Sequence, residues 1–399
     1  MITYIEKLLN GQPVEWKTLG EVGTFVRGSG LQKKDLKDSG VPAIHYGQIY
    51  TYYGRSTNKT KSFVTEDFAE KSRLASPGDL VIATTSENDD DVCKAVAWLG
   101  EGALVVSSDA CFYAHTLHPK YIAYIFESHI FQDQKRKFIT GTKVRRVNVR
   151  DLARISIPIP PLSVQEEIVR ILDKFTELEA ELEAELEARK QQYEYYRNSL
   201  LSFANDLEGG GKIVFKTLGE VAEYPQSRID VGTLRADNYV GVENLLQNRK
   251  GKVDSAYVPT QGRFTQYKVN DILLGNIRPY LKKIWFANND GGANGDVVVL
   301  RPTTSTITPR YLYHILASDD FFLFNMQHAK GAKMPRGNKQ QILKYIIPIP
   351  PLAEQARIVN ILDKFDTLTT SLTEGLPQEI ELRRKQYEYY REQLLSFPA

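Results

Sequence analysis

Apolar residues recur at helical spacing through Ile168, Ile171, Leu172, Phe175, Leu178, Leu182 and Leu186. This period predicts an amphipathic helix. Its middle, residues 177–188, reads ELEAELEAELEA. Leucines every four residues form a narrow stripe, glutamates flank it, and all three residue types favour helix. With Tyr193, Tyr196 and Leu200 the helix is predicted to run to Phe203, roughly 60 Å at 1.5 Å per residue. The preceding IPIPPL is extended, because its prolines fix φ and block helix before Leu162. Ser163 is the expected N-cap, with Glu166 as its capping-box partner. A helix this long with so narrow a stripe needs a partner.

The chain supplies one by repetition. Residues 157–175, IPIPPLSVQEEIVRILDKF, return at 347–365 as IPIPPLAEQARIVNILDKF, with fourteen of nineteen positions identical. QYEYYR occurs at 192–197 and again at 386–391, and LLSF closes both blocks. The second block is interrupted at Gly375, Leu376 and Pro377, which predicts a break or kink. Phe175 and Arg197 are 22 positions apart, Phe365 and Arg391 are 26; the extra four amount to one helical turn, a stutter. Antiparallel pairing of the blocks would relate them by a pseudo-two-fold axis. A solvated acidic helix face is the alternative reading of the ELEA run, and the matching second block favours a spacer in a helix pair over it.

Other landmarks recur in the same order. KTLGEV occupies 17–22 and 216–221, and GTKVRR at 141–146 is echoed by GAKMPR at 331–336. Between landmarks the inserts diverge. Each reads as mixed α and β: GDLVIATT (78–85) and NDILLGNI (270–277) are strand-like, and YIAYIFES (121–128) and YLYHILAS (311–318) are short helices. The expected domains are 1–156, a first insert with a short N-terminal helix; 157–204, a first helical spacer; 205–346, a second insert behind the Gly-rich linker 205–212; and 347–399, a second spacer. The fold class is α+β: two α/β domains separated by a pseudo-two-fold antiparallel pair of long helices, a coiled coil.

The formal charge of the 399 residues is only +2, so any nucleic-acid affinity must be local. It is. Residues 132–150 carry Lys135, Arg136, Lys137, Lys143, Arg145, Arg146 and Arg150 against Asp133 alone. Residues 328–344 carry Lys330, Lys333, Arg336, Lys339 and Lys344 and no acid. Such clusters suit phosphate contact. Adjacent loops mix Gln, Asn, Arg, Lys and Tyr, the side chains that read base edges or stack. The candidate DNA contacts are Gln32, Lys33, Lys34, Tyr46, Gln48, Asn88, Lys143, Arg145 and Arg146 in the first insert. In the second they are Arg228, Arg278, Tyr280, Lys333, Arg336, Asn338 and Lys339.

No catalytic or cofactor motif accompanies them. GxGxxG, GxxxxGK[ST] and HExxH are absent, the six histidines have no ligand spacing, and the IPIPPL prolines lack the preceding Asn or Asp of a methylase motif. Asp79, Glu87 and Lys94 are poorly spaced for a nuclease, and the second insert does not repeat them. Cys93 and Cys111, in no CxxC, are expected to be reduced, buried thiols. The first residues hold no apolar run of signal-peptide length and no stretch reaches the ~20 residues of a membrane span. A cytoplasmic protein without a membrane partner is expected.

The doubled IPIPPLxxQxxIVxxLDKF and QYEYYRxxLLSF, together with the ELEA run, resemble the DNA-sequence specificity subunit of type I restriction-modification systems. The resemblance spans essentially the whole chain. It implies that the inserts are target-recognition domains, each reading half of a bipartite double-stranded DNA site. It implies that the helices set the spacing and dock two methyltransferase subunits, with endonuclease/translocase subunits joining the assembly. The chain itself would be non-catalytic and hold no cofactor or metal. S-adenosylmethionine, ATP and Mg would sit on the partners. A coiled-coil scaffold joining proteins without reading DNA sequence is the alternative.

Overall fold

A computed structural model describes residues 4–202, 213–371 and 374–397. The linker expected at 205–212 and Phe203 lie outside them. The chain divides into two compact units: Met1–Glu181 with Glu381–Ala399, and Leu182–Ile380.

In the first unit a five-stranded sheet has the order Gly23–Arg27, Ala110–His115, Leu80–Ala83, Ala95–Trp98, Ser56–Thr57. Leu80–Ala83 is buried throughout because both sheet faces are covered. Leu80 and Ile82 join a core with the helices Pro119–Glu127 and His129–Arg136. Val81 and Ala83 point the other way, to a second core shared with a four-stranded sheet ordered Ser62–Val64, Val41–Ile44, Leu104–Val106, Leu74–Ala75. The period-two alternation of a strand thus builds a helix layer, a sheet and a smaller sheet.

The second unit repeats this plan with fewer strands. Its main sheet is ordered Ala222–Glu223, Val297–Pro302, Ile272–Gly275, Ile284–Phe286. Ile272 and Leu274 face the helical core, and Leu273 faces the smaller one. The strands and helices expected near 78–85, 121–128, 270–277 and 311–318 are all present.

The repeated motifs prove to be the joints of each unit. KTLGEV opens a one-turn helix in which the Thr18 amide and hydroxyl both donate to Glu21 Oε2, at 2.7 and 2.6 Å. Thr217 and Glu220 do the same, at 2.7 and 2.7 Å. Leu19 and Leu218 are fully buried. IPIP forms the second strand of a two-stranded ribbon, pairing Thr18 with Ser156 and Trp16 with Pro158, and in the second unit Thr217 with Ile346 and Phe215 with Pro348.

The long helix is Leu162–Ser202. It starts one residue before the expected cap. Val164 and Gln165 already donate their amides to the Pro161 carbonyl, so Ser163 lies inside the first turn and is not the N-cap. The Gln of the shared motif has the larger role. Buried Gln165 accepts from the His118 amide (3.0 Å) and donates to the Pro160 carbonyl (2.8 Å). Buried Gln355 accepts from the Thr308 amide (2.8 Å) and donates to the Thr306 and Pro350 carbonyls (2.8 and 2.9 Å). Each amide ties a spacer helix to the segment entering its insert's helix.

The second block forms two helices, Leu352–Thr370 and Leu376–Leu395, interrupted where Gly375 and Pro377 predict. Gly375 adopts φ +83°, and a Cβ there would lie 2.6 Å from the Thr367 carbonyl oxygen. Within the first unit the helices run antiparallel. Phe175 stacks on Tyr390 (5.3 Å between centroids), and Arg384 Nε donates to Glu179, 2.6 Å away. Within the second, Phe365 stacks on Tyr193 and Tyr196 at 5.7 and 5.4 Å.

The Tyr and Arg of QYEYYR anchor these helices to the inserts. Tyr387 is buried, with the Arg55 guanidinium 4.7 Å from its ring centre, and Arg55 pairs with Glu127 at 2.7 Å. In the second unit Arg197 lies 4.1 Å over Tyr193, and Glu194 bridges Arg197 and Arg249 at 3.0 Å each. Cys93 and Cys111 are free and buried. Burial pushes the Cys93 thiol up to about 12, so it stays protonated and inert.

Candidate nucleic-acid interface

The GTKVRR segment is a pinned hairpin. Thr140 and Arg146 exchange reciprocal backbone hydrogen bonds of 2.9 Å. Gly141 supplies the left-handed turn, φ +90°, and a Cβ there would sit 2.1 Å from the Val144 carbonyl oxygen; only glycine fits such an approach. Arg145 and Arg146 pair in register with Ser86 and Thr85, which stitches the hairpin to the loop after the central strand. The Arg145 guanidinium bonds the Gly141 carbonyl (2.5 Å) and pairs with Asp89 (2.8 Å).

A concavity opens on each side of this hairpin. One, of about 440 Å³, is lined by Tyr46, Tyr50, Thr85, Asn88, Asp91 and Val144 among others. The other, of about 620 Å³, includes Arg27, Asp109, Arg146, Asn148 and Arg150. The fold therefore brings Tyr46, Asn88, Lys143, Arg145 and Arg146 to one place. Lys33 stands near it. His45, preceding Tyr46, has its pKa lowered by burial and then by the Lys33 ammonium, which keeps the ring neutral and able to accept the Gly47 amide. Gln32 and Lys34 flank Lys33 on an exposed turn. Gln48 is engaged internally: it accepts from the His45 amide (3.0 Å) and donates to Ser62 (2.6 Å).

The second insert holds the matching hairpin. Lys330 and Arg336 exchange backbone bonds of 2.9 and 2.8 Å, and Gly331 has φ +101°. Arg336 bridges to Ile277 and its guanidinium pairs with Asp296 at 3.2 Å. Arg278 donates its amide to the Pro335 carbonyl (2.7 Å) from a left-handed conformation, φ 52°. Tyr280 is half exposed on the turn that follows. Arg278, Tyr280, Lys333 and Arg336 are thus brought together. Asn338 caps the helix Lys339–Ile342 by accepting from the Gln340 and Gln341 amides. Arg228 lies elsewhere, on an edge strand of the other sheet, where its guanidinium donates to the Thr265 hydroxyl.

One member of the basic cluster is not available to a ligand. Lys135 is fully buried, and its ammonium donates to the Asp89, Asp90 and Val92 carbonyls at 2.9, 3.1 and 3.0 Å. Burial lowers its pKa. It holds the loop that carries Asn88 and Asp89. A single Lys carries no burial signal of its own, so in the sequence Lys135 is indistinguishable from the surface charges around it. Arg27 and Arg150 were also absent from the candidate contacts. Arg27 ends a strand directly before the loop at Gly28, where strand and loop chemistry are indistinguishable by composition.

The geometry is that of a duplicated frame presenting two unlike sets of loops, each around a rigid basic hairpin. The type I restriction modification DNA specificity domain matches residues 13–188 and again 211–382. A type I restriction enzyme specificity subunit of Escherichia coli is 32% identical over 100% of this chain and 98% of its own length. A putative type I restriction enzyme specificity subunit of Haemophilus influenzae is 31% identical over 99% and 98%. Among solved structures, the S subunit of a type I system from M. genitalium aligns over 98% of both chains, with TM-score 0.55 and 14% identity. A chain from a study of assembly and conformational transition of the type I R-M system aligns over 96% and 98%, with TM-score 0.61 and 18% identity.

The chain belongs to the type I restriction-modification specificity subunits. It is a non-catalytic DNA-recognition subunit with two target-recognition domains. No described helix is long and apolar enough to cross a membrane.

Proposed function

We propose that each target-recognition domain grips one half of a bipartite, asymmetric duplex site around its basic hairpin. Lys143, Arg145 and Arg146 in the first domain, and Lys333, Arg336 and Lys339 in the second, make phosphate contacts that set register. Tyr46, Asn88, Arg278 and Tyr280 lie beside them on loops the two domains do not share, and these specify bases. Gln32, Lys33, Lys34, Arg228 and Asn338 make peripheral contacts, whereas Gln48, its amide already taken by His45 and Ser62, supports the turn that carries Tyr46. The observation that carries this reading is the recurrence of the pinned basic hairpin at the same place in two otherwise divergent inserts.

The domains extend over 1–156 and 205–346, and the spacers over 157–204 and 347–399. Two methyltransferase subunits dock on the spacers, and endonuclease/translocase subunits complete the assembly. S-adenosylmethionine, ATP and Mg are bound by those partners. Base methylation there requires extruding the target adenine from the stack.

The spacers set the distance between half-sites. Residues 162–202 form one helix, and each ELEA unit contributes ~6 Å to it and rotates the far end by about 40°. Deleting one unit is expected to shorten the gap between half-sites and leave both half-site sequences unchanged. Methylome sequencing of cells carrying the deletion checks this. An unchanged gap would remove the ruler role, and methylation without a bipartite motif would remove the reading as a whole.

A further inference from the structure

The two hairpins share more than charge. Each ends in a four-residue tip, 141–144 and 331–334, whose every residue is exposed. At the same position of each tip, directly after the lysine, stands an apolar side chain: Val144, 46% exposed, and Met334, 51% exposed. The tips are held rigid by the reciprocal backbone bonds at their bases and by the left-handed glycines. In the first domain the Arg145 guanidinium also closes back on the Gly141 carbonyl.

A feature common to two domains that read different half-sites cannot itself choose bases. Its role must be neutral to sequence. The flanking cations Lys143, Arg145 and Lys333 provide attraction to phosphate, but cations alone would be served by polar neighbours. An exposed apolar side chain on a rigid basic loop calls for an apolar partner. On a duplex the apolar surfaces common to every sequence are the deoxyribose edges and the base faces, and of these the base faces, reached by opening a stacked step, offer the larger area to a protruding side chain.

We propose that Val144 and Met334 are wedges that insert beside a base step, one in each half-site, and locally unstack the duplex. This rests on the reading that the hairpins sit on DNA. The lysines and arginines hold the backbone on either side while the apolar tip replaces lost base stacking. The rigidity of the tip matters because ordering a mobile loop on binding would offset the gain. Opening the helix at each half-site lowers the further distortion needed when a partner subunit extrudes its target base.

The test uses the complete chain assembled with its methyltransferase subunits and a duplex bearing the motif those subunits methylate in cells. 2-Aminopurine, an adenine analogue that brightens on unstacking, replaces one adenine at a time on either strand in and beside both half-sites, apart from the methylated adenines. One step in each half-site is expected to brighten several-fold on binding. Met334→Ser should abolish the signal in one half-site and leave the other intact, and Val144→Ser should do the reverse. Each should weaken binding about tenfold without changing the methylated sequence. Met334→Leu, which retains apolar bulk, should preserve the signal. Retained binding with every base stacked overturns the wedge and leaves the DNA-reading role standing. So does brightening that the serine variants fail to remove. Failure of the unaltered complex to prefer its own motif overturns both.

Discussion

Positions 135 and 325 are each the seventh residue of the same short helix, His129–Arg136 in one domain and Asp319–Gln327 in the other. Both are buried. The first is a lysine whose ammonium fills a ring of three backbone carbonyls. The second is an asparagine lying, with Asn276, against Gly337. The helix is part of the common frame, but its inward-facing residue answers to the loop opposite, and those loops differ. In the first domain Asp89, Asp90 and Val92 turn their carbonyls inward. In the second, short amide side chains occupy the corresponding space. The frame is thus conserved down to its register, while the residues that support each reading loop have changed together with the loop.

That contrast is tested most severely at the lysine. Lys135→Met retains the stem and removes the charge, leaving three buried carbonyls without their donor. The first domain should lose on the order of 3–5 kcal/mol and expose the loop carrying Asn88. Asn325→Leu removes a buried amide whose oxygen and nitrogen make no hydrogen bond among the described residues, and should cost less than about 1 kcal/mol. Denaturant unfolding of both variants measures the difference. Equal losses would mean that the two positions play the same part after all.

The clasping glutamines belong to the frame and should behave alike in the two domains. Gln165→Ala frees the His118 amide and the Pro160 carbonyl, and Gln355→Ala frees their counterparts at Thr308, Thr306 and Pro350. Each should cost about 1–3 kcal/mol, with the second at the upper end because it loses three bonds rather than two. Hydrogen exchange at the His118 and Thr308 amides would report the loosening directly. An effect in one domain alone would show that the frame is not equivalent in its halves.

The frame was legible because repetition exposes it. Two copies of IPIPPL, KTLGEV and QYEYYR, separated by unlike inserts, mark the ribbons, capping turns and helix anchors without any need for side-chain detail. The break at Gly375 and Pro377 was legible from backbone chemistry alone. The helix cap was misplaced by two residues, because Ser163 looks like a cap in isolation while the Pro161 carbonyl already closes the first turn. The burial of Lys135 and the engagement of Gln48 with His45 and Ser62 were not legible. Apart from the local bond between Gln48 and the His45 amide, both depend on partners 14 to 46 positions away, whose approach only the tertiary fold determines. The position of the apolar tips was present in GTKVRR and GAKMPR, but their exposure follows from the hairpin's closure, which spacing does not reveal.

The smallest contrast lies in the charges of the two hairpins. Arg146 lines the groove beside Arg27 and Arg150, whereas Arg336 already shares its charge with Asp296 at 3.2 Å. A cation that displaces counterions from a phosphate contributes about 0.9 to the slope of log affinity against log salt. Arg146→Gln should therefore flatten that slope by about 0.9 and leave the recognised sequence intact. Arg336→Gln should flatten it by less, since part of its charge is neutralised within the protein before DNA arrives. Titrations of the assembled complex at several salt concentrations separate the two. If Arg336→Gln proved the larger, DNA would have to displace Asp296 on binding, and the second hairpin would be a rearranging contact rather than a preformed one.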